Sequence, residues 1–403
     1  MAAQEQTDAA TWRAPSCSPF DRLASAVLIS MPMSIPIPPL PASSRVNDSG
    51  HLEIAGCDVV ELANEYGTPL FIYDEGQIRE RCQAYIRAFS ARTDDFDIIY
   101  ASKACTSSGH CQLLVEEGMS IDVASGGELY TALQASFPAE RIYVHGNANT
   151  RDELRRAVQA RVAYVILDSW DEAVALNQIA GEEERKQPVL LRITPGIEAH
   201  THDFIQTGKL DSKFGVCLAD GVADETVARV LAAENLDLAG FHNHIGSQIF
   251  SLEPFRQAVA VMAVFIAQCN KKYGFTCRIL DLGGGLGASY TEKDDPAAVD
   301  ELAEVLVGSL KLEMNRVGLP VPRLLVEPGR SIVANAGVTA YEVETVKRIP
   351  DVRTYVAVNG GMSDNMRTML YGAEYPALIA DRPEAAATTT VTPAAAIATA
   401  PHS

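Results

Sequence analysis

The chain has 403 residues and a formal net charge of −19, which argues against nucleic acid or an anionic membrane as partner. No apolar run reaches the ~18 residues that a bilayer span needs. The length suits a barrel plus a smaller module, and eight cysteines with no C-x-x-C pair or metal spacing suit the reduced thiols of a cytoplasmic protein.

In chain order, residues 1–35 come first and lack periodicity, so they are expected to be a disordered extension. The prolines of Met31–Pro41 forbid a helix there. The apolar stretch Ala24–Ser30 is too short for a signal-peptide core. From Phe71 to Val338, aliphatic runs alternate with helical patterns. The runs are Asp97–Ala101, Ser120–Ala124, Arg141–Val144, Ala163–Leu167, Val189–Ile193, Leu238–His242, Arg278–Leu282 and Arg323–Val326. Thr150-x-x-Glu153 and Ser169-x-x-Glu172 predict capping boxes, and Gly118 predicts a helix stop. Phe255–Tyr273 and Ala297–Val317 have the three- and four-residue apolar spacing of one-face-buried helices. Eight such units predict an α/β protein with a TIM (β/α)8 barrel over a doubly wound sheet. In a barrel the active site sits where the strands end. Lys103, Asp122, His145, Asp168, Arg192, His244, Gly283–Gly285 and Glu327 lie at or just after those ends.

Several of these carry chemistry. Lys103 stands two residues past the first strand; among apolar walls its pKa would fall and it could form a Schiff base, the alternative being a surface lysine. Gly283, Gly284 and Gly285 could cradle a phosphate or form an ordinary turn. His244 could lie flat on a planar cofactor, and Ser247 could donate to phosphate. If the sixth strand runs on to His244, His242 and His244 share a face. No third ligand has metal spacing, so no metal is expected. Glu327 could face a protonated pyridine nitrogen, with Arg330 binding a phosphate or carboxylate. The alternative is a Glu327–Arg330 ion pair.

Seven stretches in one order carry a resemblance: Tyr100–Ala104, Asp122–Glu128, Ser212–Gly215, His242–Gln248, Gly283–Gly287, Glu327–Arg330 and Gly360–Ala373. Over about Leu40 to Tyr375 the chain resembles the fold-type III pyridoxal-phosphate decarboxylases, in particular the diaminopimelate decarboxylase family. The last stretch, with Arg367 and Tyr371, separates it from alanine racemases. The resemblance implies a pyridoxal 5'-phosphate cofactor and decarboxylation of meso-diaminopimelate to L-lysine by a homodimer. It implies that Lys103 carries the cofactor as a Schiff base, His244 stacks on its ring and Glu327 faces its nitrogen. Ser247, Gly283–Gly285 and the Pro328-Gly329-Arg330 turn would hold the phosphate, and Asp122 and Arg192 would tune the ring. Arg330, Arg367 and Tyr371 would bind the far end of the substrate.

The resemblance also implies a second, β-rich domain built from both chain ends. Residues 36–70 and 346–392 would form it around a barrel over 71–345. The C-terminal share is shorter than the family's and lacks its Cys-Glu-Ser-Gly stretch, so a truncated barrel with little activity, or a decarboxylase of another basic amino acid, is the competing expectation. Residues 393–403 read as an aberrant tail, with Pro393 ending any strand. Asn359 and Thr368 stand where the family has Asp and Pro.

Overall fold

The structure is a computed structural model and describes residues 40–197, 213–384 and 391–395. The expected N-terminal extension, Ser212 and residues 396–403 lie outside the described residues.

Eight parallel strands close on themselves. They are β1 (Phe96–Ala101), β2 (Ser120–Val123), β3 (Ile142–Val144), β4 (Tyr164–Leu167), β5 (Gln187–Thr194), β6 (Leu236–His242), β7 (Ile279–Asp281) and β8 (Arg323–Val326). Each pairs with the next, and β8 returns to β1 through Leu324↔Phe96 and Val326↔Ile98. The barrel is therefore formed, with strand bounds within about two residues of the aliphatic runs.

Helices α1 (Glu75–Ser90), α2 (Ser108–Glu116), α3 (Gly126–Gln134), α4 (Arg151–Ala160), α5 (Trp170–Glu182), α6 (Val222–Leu231), α7 (Glu253–Tyr273) and α8 (Val299–Val317) cover the outside. Thr150 and Glu153 form the expected capping box at α4. At α5 only half of one forms. The Ser169 hydroxyl accepts the Glu172 N–H, but the Glu172 carboxylate accepts from the Asp168 N–H at 2.7 Å.

Side chains alternate across each strand. Ile98 and Tyr100 face the helices, in the main core. Ile99, Tyr143, Ile166, Leu190, Ala239, Ile279 and Leu325 form a separate apolar layer inside the barrel. One step of the same alternation down the strands from Ile99 and Leu325 places Asp97 and Arg323 at the bottom, where the Ser120 and Tyr143 hydroxyls meet Asp97. One step up places Asp122, His145, Asp168, Arg192, Asp281 and Glu327 at the top.

Smaller sheets lie outside the barrel. Leu70–Tyr73 pairs antiparallel with Gly337–Ala340, and Val343–Ile349 with Arg353–Val358. Leu52, Ile54, Val59 and Val60 share a second small core with Ala340 and Ala380, joining early and late segments. Pro393 does not end the last strand. Val391–Ala395 runs through it, parallel to Arg353–Val358, at the sheet edge, where a residue without an N–H is tolerated. Asn359 donates to the Thr68 carbonyl at 3.0 Å and accepts the Glu342 N–H at 3.0 Å. An aspartate could not donate the first of these bonds.

Candidate active site

The chain leaves β1 in a tight turn, Ser102–Ala104, which carries Lys103 over the barrel mouth. Its Nζ lies 3.5 Å from Asp122 Oδ2, at the top of β2. The Asp122 carboxylate, nearly inaccessible, also accepts the Ser102 N–H at 3.1 Å. The expected lowering of the Lys103 pKa is not found. The Asp122 charge outweighs desolvation and raises it above 10.5.

Glu327 follows β8 and turns inward, 4% exposed. Its Oε2 accepts from His242 Nε2 at 3.3 Å. His145 Nε2 approaches Oε1 to 2.7 Å, close but poorly aligned for a hydrogen bond. The two imidazoles meet edge to face, centroids 5.0 Å apart. Burial alone would raise the Glu327 pKa; the facing imidazoles outweigh it and hold the carboxyl well below its usual range. Neighbouring Asp281, fully buried at the end of β7, is pushed well above by burial and by the Glu327 charge. Burial takes His242 down to about 4 and His244 well below 6.5. In the top layer the negative charge is thus favoured on Glu327 over Asp281, and the neutral form is favoured for His242 and His244.

The sixth strand stops at His242, so His242 and His244 serve different places. His242 points down to Glu327, and His244 lines the cavity while its Nδ1 accepts the Gly284 N–H at 3.2 Å. The loops after β6, β7 and β8 approach closely enough to require glycine. A Cβ on Gly284 would lie 2.1 Å from the Glu327 carbonyl oxygen. Gly285 has φ +119°, and a Cβ there would lie 2.6 Å from the Gly246 carbonyl oxygen.

The Glu327–Arg330 ion pair does not form. Arg330 Nε donates to Ser247 Oγ at 3.1 Å and its Nη1 to the Tyr290 hydroxyl at 2.6 Å. Arg367 Nη1 donates to the Tyr375 hydroxyl at 2.6 Å and its guanidinium lies 4.9 Å from the Tyr290 ring centroid. Below the mouth, Arg192 lies 3.9 Å from Asp168 and packs on Phe214.

These groups surround a cavity of about 590 Å³. Of the expected site residues, Lys103, His244, Ser247, Gly285, Glu327, Gly329, Arg330 and Arg367 line it. Asp122, Arg192, Gly283, Gly284 and Pro328 stand behind that lining, and Tyr371 is not part of it. Tyr290 and Tyr375 line it without having been singled out in the sequence. Tyr290 sits five residues past Gly285, in a loop that barrels use for binding, and that position is the available signal.

The model of the pyridoxal-dependent decarboxylase, pyridoxal binding domain, matches residues 75–334. The chain is 46% identical over 343 residues to the diaminopimelate decarboxylase of Bacillus subtilis, covering 85% of this chain and 78% of that one. It is 44% identical over 351 residues to that of Mycobacterium tuberculosis strain H37Rv, covering 85% and 78%. The M. jannaschii diaminopimelate decarboxylase, solved in complex with L-lysine, superposes with a TM-score of 0.77 at 33% identity, covering 83% of this chain and 77% of that one. With the lysine, the inward glutamate, the glycine cradle and the paired arginines in one barrel mouth, the chain belongs to the diaminopimelate decarboxylase family of pyridoxal-dependent decarboxylases.

Proposed function

We propose that the chain binds pyridoxal 5'-phosphate at the top of the barrel and decarboxylates meso-2,6-diaminopimelate to L-lysine and CO2. One observation carries the reading: Lys103, Glu327 and the Arg330–Arg367 pair face a single cavity. The residues fit the cofactor. Glu327 Oε1 and Asp122 Oδ2 are buried without an aligned donor, so each can still receive one. The glycine loops leave room beside His244, Ser247 and Arg330 for an anionic group.

Bound there, the cofactor would supply the electron sink that amino-acid decarboxylation requires. Lys103 would hold it covalently, and Asp122 Oδ2 is placed to take the proton that the Lys103 amine must lose. Glu327, kept ionised, would keep the ring nitrogen protonated. His244 would cover one ring face, Ser247, Gly285 and Gly329 would hold the phosphate, and Arg192 would act from below. Arg330 and Arg367 suit the carboxylate at the far end of the substrate, with Tyr290 and Tyr375 fixing their guanidinium planes. The M. jannaschii relative solved with L-lysine supports that product. We place the enzyme in the cytoplasm as a homodimer, on its thiol content and the family resemblance; among the described residues no helix is long and apolar enough to cross a membrane.

The test is chromatographic detection of L-lysine from meso-diaminopimelate with added cofactor, alongside borohydride reduction and peptide mapping. The expected result is lysine formation and label on Lys103. Label on another lysine, or turnover of L-ornithine or L-arginine instead, overturns the reading.

A further inference from the structure

We infer that His145 and His242 are positioning residues for the reaction: from the tops of β3 and β6 they clamp the Glu327 carboxylate and keep it ionised before any ligand arrives. The inference rests on the reading that Glu327 faces the cofactor nitrogen.

The geometry is specific. His145, His242 and Glu327 are 7%, 0% and 4% exposed. One imidazole nitrogen lies against each carboxylate oxygen, at 2.7 and 3.3 Å. Neither histidine is needed to fill the apolar layer below, which Ile99, Ile166, Leu190 and Leu325 complete. His242 Nδ1 has no hydrogen-bond partner, so the ring's polar contact is with Glu327. A neutral imidazole that donates to a carboxylate through Nε2 carries its proton there, as His242 does toward Oε2, while His145 Nε2 lies against Oε1 without the alignment of a hydrogen bond.

The clamp matters because of what surrounds it. Asp281 ends β7 beside Glu327 and pairs in register with His242. Lys103, Asp122 and Arg192 are the other charged groups nearby, and His244 the remaining imidazole. Two buried carboxyls this close cannot both ionise cheaply. Which one keeps the charge is decided by which has the donors. Glu327 has two imidazoles, whereas Asp281 has the Gly283 N–H at 2.8 Å. Removing an imidazole lets the proton spread onto Glu327, and a protonated Glu327 no longer favours a protonated ring nitrogen.

The experiment compares His145→Leu, which keeps bulk without a donor, with His145→Gln, whose amide can donate from nearly the same place. Each is made alone and in a Glu327→Gln background. Cofactor affinity is titrated by visible absorbance and protein fluorescence. Removing the imidazole that lies 2.7 Å from the charged carboxylate should weaken binding roughly tenfold or more in His145→Leu, while His145→Gln stays within about threefold of wild type. The loss should vanish in the Glu327→Gln background, which a packing defect would not do. Wild-type affinity in His145→Leu, equal losses in both variants, or a loss that persists with Glu327→Gln overturns the inference. Should the variants not fold, 15N-histidine spectra of the wild type and Glu327→Gln decide it. The imidazole N–H signals of both histidines should shift on that substitution, and unmoved signals overturn the clamp. A wild type that takes up no cofactor sinks the functional reading instead, and the spectra still test the clamp.

Discussion

The two ends of the barrel interior are built from the same strands and treat polar groups differently. At the bottom, Asp97 on β1 accepts from the Ser120 hydroxyl at 2.9 Å and the Tyr143 hydroxyl at 3.1 Å, and lies 3.6 Å from Arg323. The polar groups there mostly satisfy one another, with Arg323 Nε left without a hydrogen-bond partner. At the top, Asp122 Oδ2, Asp281 Oδ2, Glu327 Oε1 and both side-chain amide atoms of Asn243 are buried without a hydrogen-bond partner. An unsatisfied buried polar atom costs about 1–3 kcal/mol. The strands thus close the bottom and leave the top short of partners, a deficit that a polar ligand can relieve. In barrels the bottom end serves stability and the top end catalysis. Variants that move only stability at one end and only rate at the other would sharpen this contrast; mixed effects would break it.

Acid should give the largest effect. His242 at the top and His110 behind β1 are both held at about 4 by burial, against 6.5 in an unfolded chain. The folded state excludes the proton, so their stabilisation is complete above pH ~6.5 and is lost as pH falls toward ~4. Between pH ~6.5 and ~5 each should cost about 1.6 kcal/mol, about 3 kcal/mol together. Urea unfolding across that range measures the loss. His110→Phe removes a ring whose Nε2 has no partner and should take about half of the dependence with it. An unchanged slope in His110→Phe would mean that other groups carry the acid sensitivity.

At the top, Glu327→Gln should act on rate and spare the fold. The amide oxygen can still accept from His242, while the charge proposed to serve the ring nitrogen is gone. A charged hydrogen bond is worth ~1.5–3 kcal/mol, so decarboxylation should slow roughly 10- to 150-fold. A steady-state assay beside a urea melt checks both halves. An unchanged rate would show that Glu327 belongs with the structural polar groups after all.

How much of this was legible follows from how far each contact reaches along the chain. The strands were visible because aliphatic runs alternate with amphipathic helices within about 30 residues. Lys103, His244, Arg330 and Glu327 were visible as polar residues at strand ends, a position that the fold makes functional. The clamp was not. His145 and Glu327 are brought together only when β3 and β8 take their places around a closed barrel, and no local period records that. His145 had the strand-end signal without an assignable partner. The direction of the Lys103 pKa is illegible for the same reason: apolar walls can be guessed from composition, but Asp122 at 3.5 Å comes from the register of β1 on β2. The Ser169 box was half right because the pattern predicts a reciprocal pair, while the Glu172 carboxylate turned to the Asp168 N–H instead.

At the bottom the expected signs reverse. Asp97→Ala strands the Tyr143 hydroxyl, on a residue 2% exposed, and should cost about 1–3 kcal/mol of stability with no change in rate. A drop in rate without a drop in the urea midpoint would tie the bottom end to catalysis.

The smallest effect should come from Tyr143→Phe. The hydroxyl donates to Asp97 Oδ2 at 3.1 Å, and the ring stacks on Tyr164 with centroids 5.5 Å apart. The substitution keeps the ring and its stacking. Asp97 retains the Ser120 hydroxyl and the nearby Arg323, so it is not left alone. Only one donor to a carboxylate is lost, and Asp97 keeps its other partners, so the cost should sit near the low end for a bond to a charged group, about 1.5 kcal/mol. Tyr143 and His145 stand two residues apart on the same inward face of β3, and the Tyr143 ring is itself part of the apolar layer. If that layer isolates the ends, Tyr143→Phe lowers the urea midpoint slightly and leaves both cofactor affinity and rate at wild-type values. A change in cofactor affinity would mean that β3 transmits the state of one end to the other, and the two ends would have to be treated as one coupled network.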